Sequence, residues 1–201
     1  MEAFYNAIAP LLGTEPALAR GLERLATGED VTLAAAGLVR PVLTAVVADS
    51  RTKPVLVVLP GNDAAARFAR QLGTYVGHER VLHFPERVEM PWDRGAADLE
   101  AVGTRARALH ALDRGRPVIV VAGARSILRV LPPHGSHVFD PVLLEVGRSL
   151  DLAELSATLV RMGYERVDVA ADRGQFAVRG GTLDVFGSDA QYPVRAELFG
   201  D

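Results

Sequence analysis

At 201 residues and 49% hydrophobic content, the chain can bury one full core and part of a second, so one or two domains are expected. A net charge of -3 argues against a surface that grips nucleic acid all over, because neutralising phosphate needs a basic excess. The absence of cysteine removes disulfides, thiol catalysis and cysteine-based zinc sites. No stretch approaches the roughly 20 consecutive apolar residues of a membrane span, and the start MEAFYNAIAP lacks the basic-then-apolar pattern of a secretion signal, so a cytoplasmic location is expected.

Residues 1–27 carry Ala and Leu at helical spacings and read as short helices, interrupted by Pro10 and Pro16. Apolar runs follow from Val31 to Ala35, Pro54 to Leu59, Arg80 to Phe84 and Pro117 to Val121, the pattern of parallel strands buried on both faces. Amphipathic stretches fill the gaps. After the second run Asn62 is placed to cap a helix from about Asp63 to Tyr75, and a second helix is expected from Ala97 to Leu112. The segment from Phe84 to Ala96, with Trp92, reads as an ordered surface loop in which the tryptophan packs as a wedge. A proline and glycine stop runs from Leu131 to Gly135. Beyond it, short β runs with one helix from Asp151 to Met162 suggest a smaller α+β domain, and Gly180 and Gly181 turn a hairpin within Arg173 to Phe186.

In an α/β chain the first strand-to-helix turn is the usual phosphate site. Here that turn runs from Ala34 to Pro41, and its candidate residues are Ala36, Gly37 and Arg40. A working loop needs several glycines, a lysine for the outer phosphates and a hydroxyl for magnesium. This one has a single glycine and neither of the others, and Lys53, the only lysine of the chain, lies at the next strand. Nucleotide hydrolysis by these residues is not expected. His134 and His137 bracket a turn without further ligands at metal spacing, so they read as loop residues. Asp98, Glu100, Arg105 and Arg107 read as ion pairs along a helix, and Arg105, Arg107, Arg114 and Arg116 as a solvated face.

The second half carries longer patterns: LEVG from Leu144, MGYERVD from Met162, RGQFAVRGGTLDVF from Arg173 and PVRAELFGD from Pro193. Together with FPERVEMPWD and RPVIVVAGARSIL earlier in the chain, these resemble the region shared by the transcription-repair coupling factor Mfd and the excinuclease subunit UvrB. The degenerate turn at Ala36, Gly37 and Arg40, and the short connection after Trp92, resemble the coupling-factor branch more than UvrB, which keeps an intact phosphate loop and a long aromatic hairpin. Gly187 and the stretch from Asp93 to Ala96 depart from the family pattern in loops.

The resemblance implies an α/β chain: a degenerate helicase-like parallel-sheet domain over residues 1–137 and a small α+β domain over 138–201, incomplete at its C-terminus. It implies a non-catalytic adaptor that recruits UvrA to stalled RNA polymerase in transcription-coupled nucleotide excision repair. The polymerase, DNA and ATP-driven translocation would belong to the remainder of a longer protein, and no cofactor, metal or membrane is implied for these residues. The contact residues carried over are Arg179, Arg195 and Phe199. Strand alternation supports them independently, since Val194, Ala196 and Leu198 share one face while Arg195, Glu197 and Phe199 share the other, and Ala177 and Arg179 oppose Phe176 and Val178. The alternative is a UvrB-like, ATP-dependent subunit that binds damaged DNA, and nucleotide binding separates the two.

Overall fold

A computed structural model describes residues 2–87 and 97–199, with side chains from Tyr5 onward. Trp92 and the rest of the loop from Val88 to Ala96 lie outside the described residues. The chain divides into two compact units, residues 1–86 with 108–135 and residues 87–107 with 136–201.

The first unit is built on a parallel sheet of three strands, β1 (Val55–Leu59), β2 (Val81–Phe84) and β3 (Ile119–Gly123), in the order β1-β3-β2. Val57 and His83 both stand opposite Val121. On one face lie α1 (Glu2–Gly13), α2 (Pro16–Ala26), α3 (Arg40–Asp49) and α4 (Asn62–Val76). Ala65, Ala69, Leu72 and Val76 recur at helical spacing along α4 and bury one stripe against Ile119 and Val121. The Tyr5 hydroxyl donates to Asp49 at 2.5 Å and Arg80 donates to the same carboxylate at 2.9 Å, tying α1, α3 and the approach to β2 together. The other face of β2 and β3 packs Phe84, Val120 and Ala122 against Ala108 and Ala111, which belong to the second half of α5 (Leu99–Asp113). Every residue of β3 is therefore buried. Edge strand β1 covers only one of its faces, leaving Leu56 at 56% and Val58 at 46% exposure.

Three expectations are corrected here. Val31 to Ala35 form no strand. A Cβ built on Gly21 of α2 would meet Leu33 Cδ2 at 3.2 Å and Val31 Cγ1 at 3.5 Å, so two side chains of the run lie close to a helix, while Thr32 and Ala34 are exposed. Pro10 does not break α1, which runs through it to Gly13; Ala9 and Leu12 pack on the core and hold the last turn despite the missing N–H. Asn62 is the first residue of α4 and not its cap, because its side-chain oxygen accepts the Glu86 N–H at 3.0 Å and links the ends of β1 and β2.

The second unit holds a sheet of four strands, β4 (Glu165–Arg166), β5 (Gln175–Arg179), β6 (Thr182–Phe186) and β7 (Val194–Glu197), in sequential order. The β4–β5 pair is parallel and the others antiparallel. Helix α6 (Leu152–Arg161) starts where the Asp151 carboxylate accepts the Ala153 and Glu154 N–H groups at 2.8 and 3.1 Å. Its Leu155 and Leu159 pack on Phe176 and Leu183, with Val178, Val185 and Ala196 around them. Residues 138–150 form no strand, yet Val142, Leu144 and Leu150 join this core. The first half of α5 also belongs to this unit, where Gly103 packs so closely that an added Cβ would lie 2.6 Å from the Asp189 backbone nitrogen.

Candidate functional site

The β5–β6–β7 sheet has two unlike faces because side chains alternate along each strand. One carries the core just described. The register sets Ala177 opposite Asp184 and Asp184 opposite Arg195, with Arg179, Thr182 and Glu197 aligned in the next row on the same face. Gly180, at φ +56, and Gly181 make the turn between Arg179 and Thr182. The Leu198 N–H donates to the Gly181 carbonyl at 2.8 Å, so the chain follows the hairpin past the end of β7 and brings Phe199 to that end of the sheet.

Phe199 is 86% exposed and makes no part of the core, as the alternation of faces anticipates. Arg195 is not a free solvated arginine. Its Nε and Nη2 donate to the two Asp184 oxygens at 2.6 and 2.8 Å, in the planar two-point arrangement that guanidinium and carboxylate favour. Arg179 is held as well, through an Nη2 donation to the backbone carbonyl of Asp168 in the loop before β5. The Arg195 hydrogen bonds, followed by the charges of Arg195 and Arg179, hold the Asp184 carboxyl below the usual carboxylate range despite some desolvation, and Arg195 grips its proton more tightly in return. The face thus presents two anchored cations, and an uncovered aromatic ring stands at the hairpin end of the sheet. Sequence reasoning passed over Asp184, although the alternation that sorts Leu183 inward sorts Asp184 outward, beside the arginines.

The candidate phosphate turn lies in the first unit and lacks the strand that would feed it. Ala36 is extended, Gly37–Val39 form a single 3-10 turn, and α3 begins directly at Arg40. Pro41 occupies the first turn of α3 and has no N–H, which removes one of the donors that helix N-termini offer an anion. The Thr44 hydroxyl donates back to the Arg40 carbonyl at 2.9 Å.

Other charged residues pair differently from the sequence expectation. Glu100 reaches Arg173 at 3.2 Å and Arg107 reaches Asp189 at 3.5 Å, so these are not ion pairs along one helix. Asp98 caps the helix by accepting the Ala101 N–H at 3.1 Å. Arg105 is 6% exposed, so it is no part of a solvated face. His134 and His137 each face a carboxylate that spacing did not reveal, Asp113 at 3.4 Å and Asp140 at 2.9 Å. Among the described residues no group of three or more His, Asp or Glu side chains is gathered for a metal, and no helix is long and apolar enough to cross a membrane.

Residues 142–201 match the family described as the UvrB interaction domain, which takes in α6, the whole four-stranded sheet and Phe199. The chain is 34% identical over 180 residues to the transcription-repair-coupling factor of Mycobacterium tuberculosis, covering 86% of this chain and 14% of the relative. It is 29% identical over 171 residues to that of Bacillus subtilis, covering 85% and 14%. It is 32% identical over 205 residues to the UvrABC system protein B of Thermobifida fusca, covering 94% and 29%. The chain therefore spans about a seventh of the coupling factors and less than a third of the UvrB protein that it matches.

Proposed function

As a member of the family that joins the transcription-repair-coupling factors to UvrB, this chain, we propose, is a non-catalytic adaptor segment whose small sheet docks UvrA. The observation that carries the reading is the outer face of β5, β6 and β7 within the matched segment: Arg179 and Arg195 are anchored by their own strands and loops, and Phe199, two residues past the end of β7, is 86% exposed. An aromatic ring flanked by arginines is the composition of an interface hot spot, where desolvation of the ring and directed N–H donors supply most of the binding energy. In the parent protein the segment would bring UvrA to a stalled RNA polymerase in transcription-coupled nucleotide excision repair, with ATP-driven movement on DNA performed elsewhere in the longer chain.

Binding of purified UvrA to this chain, compared with Arg179→Ala, Arg195→Ala and Phe199→Ala variants of unchanged melting temperature, tests the proposal. Each variant is expected to lose at least about tenfold in affinity, which is about 1.4 kcal/mol. No binding by the folded wild-type chain refutes it.

A second reading, a UvrB-like ATP-dependent subunit for damaged DNA, is favoured by the match to UvrABC system protein B over 94% of the chain. Against it stand the missing strand before Ala36 and the proline at the start of α3. Nucleotide titration separates the two, since the adaptor reading predicts no ATP binding by these residues.

A further inference from the structure

Asp184 is a charged residue at the centre of this face to which the docking reading gives no role. It lies on the inner strand β6 between Ala177 and Arg195, and its two oxygens take up the Nε–H and an Nη2–H of Arg195 at 2.6 and 2.8 Å. Those donors form the side-on edge of the guanidinium. Because the group is planar and rigid, its other edge, formed by Nη1 and the remaining Nη2 hydrogen, then points away from Asp184. The Arg195 side chain stays 61% exposed and that of Asp184 26%, so the acid is the covered member of the pair and the base the one presented.

We propose that Asp184 is a positioning residue for docking: it clamps Arg195 side-on, so that the outer fork of the guanidinium meets a carboxylate of the partner already ordered. The inference rests on the reading of this face as the UvrA-docking surface. A free arginine must be immobilised when a partner captures it, at an entropic cost that the clamp removes in advance. Arg179 is treated alike, its Nη2 tied to the Asp168 carbonyl. Since the Arg195–Asp184 pair is neutral as a unit, its contribution comes from directed hydrogen bonds more than from net charge. The opposite effect is that Asp184 repels an acidic partner. That repulsion acts through solvent and fades with salt, whereas the geometric effect does not.

The test measures UvrA affinity of the full chain and of Asp184→Asn, Asp184→Ala, Arg195→Ala, Arg195→Lys and the Asp184→Ala/Arg195→Ala double variant, at low and at high salt, with melting curves for each. Asp184→Asn keeps the shape of the side chain, so a fold defect in the alanine variant leaves the test intact. The expected result is a loss of about fivefold for both Asp184 variants at either salt, about 1 kcal/mol. Arg195→Lys, which keeps the charge and loses the fork, should fall with Arg195→Ala. In the Arg195→Ala background, removal of Asp184 should cause no further loss, and at high salt, where the repulsion is screened, no change at all. Unchanged or tighter binding by a folded Asp184→Asn, or a loss that persists without Arg195, overturns the positioning role and leaves the docking reading standing. Wild-type binding by Arg195→Ala removes both.

Discussion

The two sheets of this chain are opposite solutions to the problem of covering apolar surface. In the first unit, central strand β3 is buried at every position, with α4 on one side and the second half of α5 on the other, and no side chain of that strand is left for chemistry. In the second unit one face of β6 carries the core, where Leu183 and Val185 serve, while on the other face, half-buried, Asp184 holds Arg195. A sheet covered on both sides positions what hangs from its ends, and a sheet covered on one side can itself be the recognition surface. The difference predicts where substitutions act on stability and where on binding.

The largest effect is expected at Phe176, fully buried under the second sheet. Phe176→Ala should cost about 3–5 kcal/mol in thermal or denaturant unfolding and abolish UvrA binding with the fold. If binding survives at full strength in that variant, the face does not depend on the sheet beneath it and the comparison fails. Next is Gly103, where an added Cβ falls 2.6 Å from the Asp189 backbone nitrogen, a neighbour that cannot swing aside as a side chain would. Gly103→Ala should destabilise the second unit by about 1–3 kcal/mol, read by denaturation of that unit. Smaller again is the stability change of Phe199→Ala, expected within about 0.5 kcal/mol of wild type because the ring is exposed, even as UvrA affinity drops. A large stability loss there would assign Phe199 to the fold.

The smallest effect separates the units by pH. His83 of β2 is half-buried, its Nε2 has no hydrogen-bond partner among the described residues, and burial followed by the charge of Arg70 holds its pKa below the usual histidine value. The unfolded chain therefore takes up a proton that the folded chain resists. The stabilising contribution is complete above about pH 6.5 and is lost as the pH falls from there toward the lowered folded pKa. His83→Leu should flatten that acid slope in the unfolding of the first unit and leave the second unit unchanged, and an unaltered slope would acquit His83.

Several features of the fold are legible in local pattern. Three apolar runs became β1, β2 and β3 within about two residues, because a strand in a parallel sheet must be apolar wherever helices cover it. The helix expected from Asp151 to Met162 forms over Leu152–Arg161, and the two glycines turn the hairpin, because both demands are set by the backbone within a few residues. Likewise, alternation placed Arg195 on the face opposite Ala196 and the core without any knowledge of neighbours.

What the sequence alone determined, then, is the elements and the faces they turn, since both follow from spacing along one chain. The tertiary structure decided the partners. Val31 to Ala35 are apolar enough for a strand, but the run pairs with none, and Val31 and Leu33 come close to α2. Arg105 looks solvated and is buried, and α5 reads as one helix yet divides its two halves between the units. Above all, the clamp of Asp184 on Arg195 depends on the register of β6 against β7, and register is a relation between residues eleven positions apart that no local pattern contains.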